Sequence, residues 1–393
     1  MKYVLIIGDG MADDPLEQMD GKTPLEVCKK PFFDSLCAKA ELGLVKTIPE
    51  GFPPGSDTAI MSIFGCDPRK YFSGRAPLEL AASGGVMPEG GAAYRCNMVN
   101  LGGDPAGPFE ERVMVSHSAG SIEGEESDEL VTWLFAQPEF AALAEEARLT
   151  VRPGSSFRHL AVQAEADIAG IVLAPPHDHL NEKIGPLLPR GCANAGVLLG
   201  LMRKAAQLLP GHPVNKKREA EGKLPANCIW PWAEGTATIL PPFQEKFGKA
   251  GLVVSAVPLV QGIAKLAGLE APVIPGATGE LDTNYAGKTQ AAIEALRVYD
   301  FVCVHLEAPD ECTHCGDLAG KIQAIENLDS LILRPLVAHL AQSPEPYRVL
   351  VLPDHQTLLT TRTHGGDPIP YFIYDLSLIH ISEPHETRHD LVC

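Results

Sequence analysis

The sequence predicts an α/β fold: a mostly parallel sheet flanked by helices and interrupted by an inserted α+β domain. Short apolar runs set far apart in the chain carry the first half of that reading, since strands covered on both faces read as near-continuous hydrophobic segments. They are Tyr3–Ile7, Phe301–Leu306 and Arg348–Leu352, with Tyr371–Tyr374 as a later apolar strand. Helical periodicity in the segments that follow carries the second half, because alternation of strand and helix implies a layered α/β sheet. Thr23–Ala40 spaces Leu25, Cys28, Phe32, Leu36 and Cys37 on one face, with Pro31 expected to break or kink it. Asp317–Leu340 does the same with Leu318, Ile322, Ile325, Leu328, Leu331 and Ile332, and Pro335 should kink its last turns.

The middle of the chain has another texture. It is rich in Pro and Gly, carries short alternating runs such as His159–Gln163, and has an acidic patch at Glu123–Glu129. The expected organisation is therefore a split domain, 1–90 with 286–375, and an insert at 91–285. Residues 376–393 follow neither pattern. They read as a non-native tail of the kind left by translated adaptor sequence, with the native continuation missing.

Composition narrows the partners. Of 393 residues, 32 are Lys or Arg and 50 are Asp or Glu, a net charge of −18 that disfavours nucleic acid. The densest basic cluster, Lys216-Lys217-Arg218, is short and flanked by Glu219 and Glu221. No run approaches the roughly 20 apolar residues of a membrane span, and Tyr3–Ile7 is too short for a signal-peptide core. The expectation is a cytoplasmic protein with no membrane partner; a homo-oligomer is left open. Ten cysteines are scattered without a disulfide framework. Cys312-Thr313-His314-Cys315 has no second C-x-x-C to complete a zinc site and no thioredoxin-like context, so its histidine matters more than its thiols.

Chemistry concentrates at the strand ends, where open α/β sheets place their sites. Strand Tyr3–Ile7 runs into Gly8-Asp9-Gly10, Phe301–Leu306 into Asp310 and His314, and Arg348–Leu352 into Asp354-His355, with His364 shortly after. Carboxylates and imidazoles converging there would suit a pair of divalent cations. His305 falls inside a strand and reads as packed, and His117, His177 and His179 show no grouping. Pro53-Pro54-Gly55-Ser56 forms a tight turn into the apolar stretch Ile60, Met61, Ile63, Phe64. Ser56 could be simply an N-cap, or a nucleophile in the positive field of a helix N-terminus.

Gly8-Asp9-Gly10, Pro54-Gly55-Ser56-Asp57, Arg75, Asp310 with His314, and Asp354-His355 with His364 resemble the alkaline phosphatase superfamily. More closely, the chain resembles the archaeal-type, cofactor-independent phosphoglycerate mutases and their bacterial relatives. That resemblance extends over residues 1–375 and includes Tyr94-Arg95-Cys96-Asn97, Phe157-Arg158-His159-Leu160 and Ile229-Trp230-Pro231-Trp232. It implies an alkaline-phosphatase-like sheet and an isomerase of glycolysis and gluconeogenesis, acting on a small phosphoglycerate with no need of 2,3-bisphosphoglycerate. It implies Ser56 as the phosphoryl acceptor. One metal would be held by Asp9, Ser56, Asp354 and His355, and another by Asp310, His314 and His364. Manganese is the leading ion, with magnesium or zinc as alternatives. Arg158, Arg75, Arg218 and Lys288 are the candidates for binding substrate. A homoserine kinase-like phosphotransferase and a metal-dependent phosphohydrolase are the alternative activities.

Overall fold

A computed structural model of the protein describes residues 1–154 and 156–375, so the expected non-native tail lies outside the described residues. The chain forms two compact units. One comprises Met1–Phe72 and the chain from Leu240 onward; the other is Ser73–Ile239. These boundaries differ from the expected 90 and 285 for two reasons. Helix Arg75–Ala82 packs Ala76 and Leu80 against Ala93 and Val162, which ties it to the inserted unit. At the other boundary, a four-residue strand inside the Gly- and Pro-rich stretch belongs to the main sheet.

In chain order the strands are β1 (Lys2–Gly8), β2 (Glu41–Val45), β3 (Ala92–Gly102), β4 (Val113–Ser116), β5 (Leu149–Arg152), β6 (Arg158–Gln163), β7 (Cys228–Thr236), β8 (Gly251–Val254), β9 (Phe301–Leu306), β10 (Tyr347–Leu352), β11 (Gln356–Leu358), β12 (Thr363–Gly365) and β13 (Ile369–Asp375). The main sheet has the order β2-β13-β10-β1-β9-β8. β8, β9, β1 and β10 run parallel, and only β13 runs against them, pairing antiparallel with β10 and β2. Register aligns the central strand ends: Ile7 lies opposite both His305 and Leu352, and Gly8 opposite Leu306. The residues after Gly8, Leu306 and Leu352 therefore emerge together.

Helix punctuation follows the prolines. Thr23 and Glu26 form a reciprocal capping box on the short helix Pro24–Val27. Pro31 then starts a new helix, Pro31–Cys37, so it breaks the expected segment rather than kinking it. Buried Asp329 accepts the Phe33 backbone N–H at 2.6 Å and supplies the cap that Lys30 cannot. Downstream, helix Leu318–Asn327 widens into a π-helical stretch, Leu328–Leu333, before Arg334–Leu340. Pro335 has no N–H to offer the Leu331 carbonyl, which instead accepts the Thr289 hydroxyl at 2.7 Å. Leu328, Ile332 and Leu336 from this segment pack with Val4, Ile6, Val302 and Val349 of the sheet.

The inserted unit is α+β. β3 is its centre, pairing antiparallel with β4, β6 and β7, while β5 pairs with β6. Tyr94, Phe140, Met202 and Trp230 are buried in its core. Gly74 starts its first helix at φ 134°, and a Cβ there would lie 1.9 Å from the Glu234 carbonyl oxygen of β7, an approach that only glycine permits. Among the described residues no helix is long and apolar enough to cross a membrane.

Candidate metal centre and active site

The strand ends of the first unit deliver Asp9, Asp310, Asp354, His314, His355 and His364 to one place. Asp9 and Asp354 are each almost wholly buried. The Asp354 carboxylate accepts the backbone N–H groups of Gly10 at 3.2 Å and His355 at 2.8 Å, both on Oδ1. The Thr47 hydroxyl fixes the same residue's carbonyl at 2.6 Å. Gly10 has φ 60°, and a Cβ would press into Thr357 Oγ1 and Asp310 Oδ1 at 2.3 and 2.7 Å. Tight apposition of these loops thus depends on a glycine here.

The imidazoles are oriented from behind. His314 Nδ1 lies 2.9 Å from the Arg362 carbonyl, His364 Nδ1 3.3 Å from that of Pro54, and His355 Nδ1 3.1 Å from that of Gln356. A carbonyl can only accept, so each Nδ1 carries the proton and each Nε2 faces inward, the arrangement used to present histidine to a metal. His314 Nε2 is 3.0 Å from His364 Nε2 and 3.1 Å from Asp310 Oδ2. His355 Nε2 lies 3.2 Å from Asp354 Oδ2, 3.6 Å from Asp9 Oδ1 and 3.1 Å from the Ser56 hydroxyl.

Two groupings have ligand atoms within 4.8 Å of one another: Asp9, Asp354 and His355, and Asp310, His355 and His364. His355 is shared between them, and His314 adjoins the second. Asp9 Oδ1 and Asp354 Oδ2 are buried without a hydrogen-bond partner. Buried carboxylate oxygens without donors are costly, and a cation is the partner this chemistry fits. Burial, then repulsion from Asp354 and Asp310, pushes the Asp9 carboxyl well above the usual range. Burial opposes ionisation of Asp310 too, but hydrogen bonds from His314 and His364 hold it well below that range. The same contact with Asp310 raises His314 to about 9. A cation bound here would displace the proton those groups share.

Ser56 is the first residue of helix Ser56–Ile63, with Gly55 in the N-cap position and no side-chain cap. The simple N-cap reading therefore fails. The Ser56 hydroxyl is free of capping and turns toward His355.

The candidate substrate residues separate. Arg218 is buried and committed to the inserted unit, donating to the carbonyls of Leu224 and Ala119 and to Glu126 at 2.9–3.0 Å. Lys288 is buried and donates to the Thr278 and His305 carbonyls at 3.2 and 3.5 Å; burial lowers it to about 8. Arg218 is thus held by bonds within the inserted unit, and Lys288 rests on two backbone carbonyls. Arg158 is exposed and stands over the Phe157 ring at 5.1 Å. Its protein-rich surroundings, then Arg95, lower its guanidinium to about 10. Arg75 lies 3.4 Å from Glu79, which also pairs with buried Arg95 beneath it.

This cluster contains residues that the sequence did not group. His117 packs edge-on against Phe157 and His177, and His177 and Arg95 both lie against Trp232. Burial and neighbouring cationic groups lower both histidines. His305, read as merely packed, contacts Asp9 at 2.9 Å. A histidine within an otherwise apolar buried strand was the available signal, since a buried polar group must find a partner. Cys312 and Cys315 are free thiols, and burial pushes Cys312 up to about 11, away from a reactive thiolate.

Fold and site together define an α/β enzyme with candidate cation sites beside a helix-terminal serine. Residues 37–215 match the model of the 2,3-bisphosphoglycerate-independent phosphoglycerate mutase family. The chain is 45% identical over 374 residues to the enzyme of that name from Methanosarcina acetivorans, covering 95% of this chain and 90% of the relative. Its fold is similar to that of a protein from Pyrococcus horikoshii at 29% identity and a TM-score of 0.78, covering 95% and 87% of the two chains. It is also similar to a cofactor-independent phosphoglycerate mutase from Thermoplasma acidophilum at 26% identity and a TM-score of 0.62, covering 95% and 90%. The chain belongs to the 2,3-bisphosphoglycerate-independent phosphoglycerate mutase family.

Proposed function

We propose that the protein interconverts 3-phosphoglycerate and 2-phosphoglycerate through a phosphoserine at Ser56, a step of glycolysis and gluconeogenesis. The observation that carries this is the Ser56 hydroxyl, uncapped at a helix start and 3.1 Å from His355 Nε2, beside the orphaned oxygens of Asp9 and Asp354. Asp9, Asp354, His355 and Ser56 would hold one divalent ion and Asp310, His314 and His364 the other. Manganese is the leading ion by family resemblance, with magnesium or zinc as alternatives, and the mixed oxygen and imidazole donors fit manganese or zinc alike. Such ions neutralise charge on the attacking and leaving oxygens of phosphoryl transfer.

In the forward half-reaction the Ser56 Oγ–phosphorus bond forms as the bond from phosphorus to O3 of glycerate breaks. Ser56 gives up its hydroxyl proton and O3 takes one up. After glycerate reorients, O2 attacks phosphoserine and the serine hydroxyl is restored, so protons balance over the cycle. The first-turn N–H groups of helix Ser56–Ile63 present a positive end to the phosphoryl oxygens. Arg158 and Arg75 are proposed to recognise the substrate's anionic groups, where guanidinium forks match carboxylate and phosphate, with buried Arg95 holding Glu79 beside Arg75.

The test is metal-loaded protein given 3-phosphoglycerate with an enolase-coupled readout and no added bisphosphoglycerate. Conversion is expected. Release of inorganic phosphate instead would favour a phosphohydrolase, and phosphorylation of homoserine by ATP would favour the kinase-like alternative.

A further inference from the structure

Behind Asp9 lies a line of buried polar groups that the reaction itself does not use. Ser255 follows β8, and its oxygen accepts the backbone N–H of Val257 at 3.0 Å. The same oxygen lies 3.1 Å from His305 Nδ1, and His305 Nε2 lies 2.9 Å from Asp9 Oδ2. Both Ser255 and His305 are buried.

With Asp9 ionised, as holding a cation requires, the proton inventory gives this line one direction. A lone pair on Nε2 facing a carboxylate oxygen at 2.9 Å would be repulsive, so Nε2 carries a proton and donates to Asp9. With the imidazole singly protonated, Nδ1 is an acceptor, and it takes the Ser255 O–H. Donors therefore run one way, from the Val257 backbone through Ser255 and His305 to Asp9 Oδ2. The other oxygen, Oδ1, is the one left buried without a partner, 3.6 Å from His355 Nε2.

We propose that the Ser255–His305 relay is a positioning device, which locks the Asp9 carboxylate by one oxygen and leaves the other turned toward a divalent cation. It rests on the metal-centre reading above and deepens it. A neutral donor suits the role: it fixes the rotamer of Asp9 without neutralising the charge that attracts the ion. Partners that orient a metal ligand from behind typically contribute about 10- to 100-fold to metal affinity.

Equilibrium titration of the metal-free protein with Mn2+ tests the inference, alongside thermal unfolding without metal. His305→Leu removes the donor and should weaken Mn2+ binding about 10- to 100-fold. His305→Gln can still place an N–H near Asp9 and should recover most of that loss. Ser255→Ala should weaken binding by a few fold, with a modest fall in the metal-free unfolding midpoint from the orphaned Val257 N–H, and should add no further loss of Mn2+ affinity in the His305→Leu background. Wild-type affinity in His305→Leu, or a Gln variant that folds yet binds as poorly as Leu, overturns the relay. If His305→Leu does not fold, Ser255→Ala decides, and unchanged Mn2+ affinity there overturns it. Wild-type protein that binds no Mn2+ instead overturns the metal-centre reading on which the relay rests.

Discussion

Lowering the pH should selectively weaken the inserted unit through His159. This side chain has no solvent exposure. Its Nδ1 accepts the Gly154 backbone N–H at 3.1 Å, and its Nε2 faces the Ser127 hydroxyl at 3.0 Å. Ser127 in turn donates to the Ser156 carbonyl at 2.7 Å, so the network secures the chain that leads into Arg158. Burial lowers His159 from the ordinary 6.5 to about 4, with Asp128 opposing. The unfolded state therefore binds more protons than the folded one between those values. Stability is fully present above pH 6.5 and is lost as the pH falls toward 4. At about 1.36 kcal/mol per unit, the loss attributable to His159 is about 3 kcal/mol. Trp133, Trp230 and Trp232 are the protein's three tryptophans and all lie within Ser73–Ile239, so their fluorescence reports this unit. Urea unfolding followed by that signal, at several pH values, should show wild type losing about 3 kcal/mol more than His159→Gln. Parallel losses in the two proteins would refute the reasoning.

Lys321→Met should destabilise the first unit by about 3 kcal/mol, the lower end for breaking a buried pair, because Asp13 keeps its bonds to the Asp14 and Leu359 backbone N–H groups. Chemical denaturation in chelator would measure it, and adding Asp13→Leu should recover part of the loss. Gly10→Ala should abolish tight Mn2+ binding while leaving the inserted unit's tryptophan unfolding curve unchanged, since the new methyl would press into Asp310 and Thr357. Arg218→Ala should cost about 2–3 kcal/mol by orphaning the buried Ala119 carbonyl, the part-buried Leu224 carbonyl and Glu126, and should leave KM for 3-phosphoglycerate unchanged in protein that remains folded.

The local part of the site was legible in the sequence. Asp9, Asp310, Asp354-His355 and His364 stood at or just beyond strand ends, and parallel register then aligned those ends at Gly8, Leu306 and Leu352. What escaped depends on contacts between distant segments. β8 is only four residues long and its place in the sheet is set by pairing with β9. Arg95, His117, His177 and Trp232 meet through antiparallel pairing of β3 with β7 and through aromatic packing, neither of which has a sequence period. The burial of Arg218 and Lys288 was likewise invisible, because a charged residue on a helix reads as solvated until its carbonyl partners are located. Ser56 shows the converse: its position was evident, but only the extended backbone at Gly55 distinguishes a first-turn serine from a cap.

The most direct measurement is phosphosite mapping of the metal-loaded enzyme, acid-quenched during turnover of 3-phosphoglycerate. Phosphate on Ser56, appearing and disappearing at rates that match interconversion and absent from Ser56→Ala along with activity, is the predicted result. Turnover with Ser56 unmodified at every time, or a Ser56→Ala enzyme that converts substrate at the wild-type rate, would contradict it.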